Sequence, residues 1–196
     1  MDDSKHQKAK NDIEKITTPD TLKRNLINAS LILTAFELMK TSIIDQVRDF
    51  FTSGEDEHRR EIDKIRKELP KEFHNHPLIV YAHWFREQEA LNKADIDNVV
   101  RIWQYRNKLA HELIAFLVDS DFEVDVKYLY EIRDLVGKVD VWWLREVEIP
   151  VNPDFDQVEV KDSDIQSGRM IIINHLLSVA LDLPPVAGPK DSNLVH

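Results

Sequence analysis

Cysteine is absent from this chain of 196 residues. That excludes disulfides and thiolate metal sites, and it fits a reducing compartment. Glycine is scarce, with only 4 residues, which argues against a fold rich in strands and tight turns. No uninterrupted apolar run approaches the roughly 20 residues of a membrane-spanning helix. The first residues, Met1-Asp2-Asp3-Ser4-Lys5-His6, are acidic and polar, unlike a secretory leader. The cytoplasm is therefore the expected location, with no membrane partner. Net positive charge is missing too. The formal charge is −10, so a non-specific nucleic-acid coat is excluded and any nucleic-acid role needs a local site.

What is present favours helices. Leu, Ile, Lys, Glu and Asp dominate, and 42% apolar residues suffice for a buried core. We expect an all-α fold, a single helical domain over 17–183, preceded by a polar segment at 1–16 and followed by a flexible tail at 184–196. Thr18-Pro19-Asp20 reads as a helix start, with a cap, a proline at the first position and an acid facing the dipole. Apolar residues then recur at helical spacing to about Phe51, nearly all round between Ala29 and Met39. Glu37 interrupts that run. It is either a shoulder residue reaching water or the partner of a buried arginine. Ser53-Gly54 should end this helix.

Residues 55–69 read as a charged surface helix, acidic first and basic last. His74 and His76 lie in the following loop and, without further ligands, are weak metal candidates. No metal or cofactor is expected. Helices are anticipated at 78–92, at about 96–118 behind Asp95 as a cap, and from about Asp125 to Leu144 with a kink near Gly137. Alternation of Val147, Ile149 and Val151, then Asn152-Pro153-Asp154 and Val158 and Val160, suggests a short β-hairpin or extended arm at 147–160. A last helix should run to about Leu183.

The helix anticipated at 96–118 carries the chemistry. On a helical wheel its apolar residues form a broad arc. Arg106 falls inside that arc, Asn107 falls in its other half, and His111 sits at the boundary. A guanidinium on a core face needs a partner. It could pair with Glu37, line a cleft towards another subunit, or bind an anion. The wheel alone favours the pair. Arg106 and His111 are five residues apart and diverge by about 140°, whereas Asn107 and His111 share a face. One isolated helix cannot close Arg106 and His111 on one small group, so either Arg106 reaches around with its long side chain or two copies of the helix meet across a dimer axis.

Arg106-Asn107-Lys108-Leu109-Ala110-His111 resembles the Arg-x4-6-His signature of HEPN domains, including the polar residue after the arginine. The order of helices is similar to that family's bundle over about 19–145. The resemblance implies a HEPN-like helical bundle, a homodimer whose two motifs face one cleft, and a metal-independent endoribonuclease. Such proteins serve as toxins with an antitoxin protein, or as defence RNases. Carried over, Arg106 and His111 would be catalytic, with Asn107 in support and RNA as substrate. Glu37, the suggested partner of Arg106, would support the site from the earlier helix. The position two after the histidine is Leu113, not the tyrosine of the subgroup controlled by nucleotidyl modification, so that regulation is not implied. The alternative is a non-catalytic helical module that binds a protein partner or a nucleotide, which the acidic charge favours. In a third reading the chain is a structural bundle in which Arg106 serves only to pair with Glu37.

Overall fold

A computed structural model describes residues 3–51, 54–155, 160–162 and 165–184. These residues form an all-α bundle with no strand among them. In chain order the helices are α1 (Asp3–Thr17), α2 (Pro19–Phe50), α3 (Glu55–Glu68), α4 (Pro77–Glu87), α5 (Lys93–His111), α6 (Leu113–Val118), α7 (Lys127–Trp143) and α8 (Gly168–Ala180). The axis of the molecule is α2. It packs against α1, α4, α5, α6, α7 and α8, which is why its sequence is apolar nearly all round. Ile32, Ala35, Met39, Ile43 and Val47 are sealed from solvent. By length and composition α2 could cross a membrane, but half of its apolar window is buried in the bundle, as expected of a core helix.

Several boundaries follow from local chemistry. Pro19 occupies the first turn of α2 as anticipated. Thr18 stands at the N-cap, but its hydroxyl donates back to the Glu14 carbonyl at 2.7 Å instead of capping. The polar segment 1–16 lies almost wholly in α1, which packs on α2 and α6. Lys8 pairs with Asp119 and Asp121, and the Asp12 carboxylate accepts from the Ser120 N–H at 2.7 Å. α2 ends at Phe50, and Gly54 is the N-cap of α3, not the end of α2. The cap of α5 is Asn92, not Asp95. Asn92 accepts from the Asp95 N–H at 3.1 Å, and Asp95 accepts from the Asn92 N–H at 2.9 Å, a reciprocal capping box.

Three expectations are corrected. The helix expected over 96–118 is two helices, because the chain leaves helical geometry at Glu112 (φ −113°, ψ 25°). The hairpin or arm expected near 147–160 forms no strand among the described residues and is helical at 147–151 and 153–155. A π-turn at Leu144–Glu148 continues α7, and short helical turns follow at Ile149–Val151 and Pro153–Phe155. Alternation of Val147, Ile149 and Val151 therefore tracks tight helical turns, not a pleat. Residues 156–159, in the second half of that arm, lie outside the described residues, as does most of the tail expected at 184–196. Gly137 causes no kink. α7 runs through it, and its bare side faces Met170 of α8.

Candidate active site

α5 sets the positions of Arg106, Asn107 and His111. Its inner face is anchored by Val99, Ile102 and Leu109, all essentially sealed. Tyr105 adds a second anchor. Its ring stacks on Tyr128 of α7 at 3.8 Å between centroids, and its hydroxyl oxygen accepts from the Asp125 N–H at 2.9 Å. Burial pushes the Tyr105 hydroxyl up to about 12. It stays protonated near neutrality and is no candidate base.

Arg106 leaves the bundle between α5 and α2. Its Nη2 donates to Glu37 Oε1 at 3.2 Å, and its guanidinium lies 5.3 Å from the centre of the Phe36 ring. Nη1 reaches Asn107 Oδ1 at 3.4 Å. Nε is buried without an acceptor among the described residues. The ion pair that the sequence suggested is therefore formed. Its setting is different, because Arg106 is 33% exposed and Glu37 49% exposed. Glu37 also binds Lys40 at 2.9 Å. The wheel placed Arg106 inside a core, and it instead lines the rim.

The difference matters energetically. A half-exposed pair shared with a second cation is worth about 0–1 kcal/mol. Structural need does not explain the placement of Arg106. Glu37→Ala should accordingly lower stability by less than about 1 kcal/mol, measured by urea unfolding. A loss of several kcal/mol would restore the purely structural reading.

His111 closes α5 and is exposed, with no side-chain hydrogen bond or ion pair among the described residues. Regular helix from Arg106 to His111 keeps the divergence of about 140°. Within one copy, then, Arg106, Asn107 and Glu37 are brought together, and His111 is not joined to them. Just beyond it, Ile114 of α6 is 75% exposed, leaving an apolar residue beside the motif. The break at Glu112 puts His111 at a helix end, so its imidazole is free to meet a second molecule. That break carries no glycine or proline and was not marked in the sequence.

The two loop histidines have other company. His74 Nε2 lies 2.9 Å from the Leu69 carbonyl oxygen, and His76 packs on the Trp103 ring at 4.6 Å. Among the described residues no group of three or more His, Asp or Glu side chains is placed to hold a metal ion.

One buried polar cluster escaped the sequence reading. Asp140, on the core side of α7, accepts from Ser42 Oγ at 2.9 Å, from Arg169 Nη1 at 3.1 Å and from Ser167 Oγ. It borders a hollow of about 620 Å³ with Trp143, Phe155 and Ile165. Its signal was a single carboxylate in the apolar run Val139-Asp140-Val141-Trp142-Trp143. No family model, no curated protein and no solved structure matches this chain, so its residues and their geometry carry the functional reading.

Proposed function

We propose that the chain is a HEPN-like, metal-independent endoribonuclease that cleaves RNA at a cleft shared by two copies. The observation that carries this reading is a single helix end with two exposed functional groups. Arg106 sits at the rim in a pair too weak to be structural, and His111, unpaired among the described residues, stands 140° away, about the angle of five helical residues. A guanidinium from one copy and an imidazole from the other would make one complete site.

The chemistry follows from the residue types. A neutral imidazole can accept a proton, so His111 of one copy can take the proton from a ribose 2′-hydroxyl. The 2′-oxygen then attacks the adjacent phosphorus. Arg106 of the other copy grips the phosphate oxygens and stabilises their growing charge, with Asn107 beside it as a further donor. The P–O5′ bond breaks and the 5′-oxygen takes up a proton. Products are a 2′,3′-cyclic phosphate and a 5′-hydroxyl. Glu37 orients Arg106 from below. Need for a 2′-hydroxyl makes the site selective for RNA over DNA. A cytoplasmic toxin or defence RNase, restrained by an antitoxin protein, is the cellular role this chemistry suits.

A non-catalytic module that binds a protein partner or a nucleotide is the second reading. The net charge of −10 favours it, since RNA would approach an acidic surface. The test is incubation of purified protein with single-stranded RNA and excess EDTA. Cleavage with cyclic-phosphate ends supports the nuclease. Intact RNA at every protein concentration supports the module.

A further inference from the structure

A hollow of about 450 Å³ opens between the end of α2, α3 and α4, far along α2 from Arg106. Arg48 enters from α2, Arg59 and Arg66 from α3, and Tyr81 from α4. Arg59 and Arg66 are seven residues apart, about two helical turns, and so share a face. The only carboxylate among the residues lining it is Asp63, which pairs with Arg66. Three guanidiniums against one carboxylate reverse the sign of the chain as a whole.

Their donors are not used up. Arg59 has no hydrogen bond or ion pair among the described residues. Arg48 reaches Asp45 only at 4.0 Å and lies 5.8 Å from the centre of the Tyr81 ring. Arg66 Nε is buried with no acceptor among the described residues. A buried guanidinium N–H without an acceptor is costly unless an anion supplies one. The wall behind these donors is preorganised. His58 stacks on Phe51 at 4.9 Å with rings nearly parallel, and its Nε2 shares a hydrogen bond with the Tyr81 hydroxyl at 3.0 Å. Desolvation and the charge of Arg48 hold the His58 imidazole below its usual range. It therefore acts as a neutral wall and leaves the charge to the arginines.

We propose that this hollow is a phosphate-binding site, in which Arg48, Arg59 and Arg66 take the oxygens of one phosphoryl group or of two adjacent ones. Forked guanidiniums suit that geometry better than ammonium groups. Two sources present the same chemistry, the backbone of an RNA strand and the phosphate chain of a free nucleotide. Position along α2 suits the strand. Glu37 and Arg48 are eleven residues apart, which is close to three turns and about 16 Å of rise. They therefore share a face, and a strand gripped at Arg106 would pass the hollow a few nucleotides on. That last step rests on the nuclease reading, whereas the phosphate site does not.

Binding of inorganic pyrophosphate, ATP and a short oligouridylate is measured by calorimetry on the His111→Ala protein, which keeps the RNA intact. Pyrophosphate should bind, and Arg59→Ala should weaken it by about tenfold or more, as loss of a charge-assisted bidentate contact does. Arg59 is exposed, so the variant folds. Lys93→Ala, at an exposed cation that does not line the hollow, should leave pyrophosphate binding unchanged, which shows that the loss at Arg59 is not a loss of general positive charge. Oligouridylate binding tighter than ATP, and weakened by Arg59→Ala, identifies an RNA strand as the source. ATP binding equal to or tighter than oligouridylate, and weakened in the same way, identifies a free nucleotide. No pyrophosphate binding at millimolar concentration, or equal affinity in Arg59→Ala, overturns the proposal.

Discussion

His111→Ala should lower RNA cleavage at the proposed nuclease site by about a hundred- to ten-thousand-fold, the usual contribution of a positioned acid–base group. The melting temperature stays where it was. His111 is exposed at the end of α5 and has no side-chain partner to lose among the described residues, and such surface changes shift stability by about half a kcal/mol at most. Arg106→Ala should lower cleavage by about a hundred- to a thousand-fold, because on the proposed reading it removes the charge that meets the phosphate. Its structural cost is small: an exposed pair with Glu37 and a contact with Phe36. Arg106→Lys should recover only part of the activity, since an ammonium cannot bind two oxygens in a fixed plane. Cleavage rates are read beside thermal unfolding of the same preparations. Two folded variants with undiminished cleavage would remove both residues from the mechanism.

Asp140→Ala has the largest expected effect on stability. Asp140 is 6% exposed and ties α2, through Ser42, to Ser167 and Arg169 at the start of α8. Removing it strands the Ser42 hydroxyl inside the bundle and leaves Arg169 without its carboxylate. Arg169 is 30% exposed and can regain water, so the cost is mainly that of the buried hydroxyl and the lost hydrogen bonds, about 1–3 kcal/mol. At about 2–4 °C per kcal/mol for a chain of this size, the melting temperature should fall by roughly five degrees. Asp140→Asn keeps the shape and one acceptor and should cost less. Arg106→Ala and Asp140→Ala therefore separate cleanly, one losing activity and the other stability. A melting temperature unchanged in Asp140→Ala would show that α8 is held by its apolar contacts alone.

The all-α fold was legible because its signals are local. Spacing of apolar residues marked α2, and Pro19 marked its start. The chemistry of Arg106 was legible as an anomaly, a charge on a face that should be apolar. Its degree of burial was not, since a wheel treats a face as uniformly covered, whereas α2 and α5 leave a rim open at Glu37. The break at Glu112 was invisible because no residue there forbids helix. Tertiary packing decides it, as Phe116 and Phe122 turn inwards against Lys108 and Tyr105. Residues near 147–160 misled for a related reason. Alternation over five residues fits both a strand and a run of tight helical turns, and nothing in the composition separates them. Asp140 was missed because its partners come from helices distant in sequence, and the arginines of α3 because Arg48 meets them only once α2 and α3 fold together. In the sequence the basic end of α3 complements a helix dipole, and only the fold sets Arg48 across from it.

The central claim is that cleavage needs Arg106 from one copy and His111 from another. Mixing the Arg106→Ala and His111→Ala proteins, after each has been dissociated and allowed to exchange, tests it directly. Random pairing puts one intact composite site in half of the dimers, so about a quarter of wild-type activity should return. Activity of the mixture no higher than that of either variant alone would contradict the two-copy site.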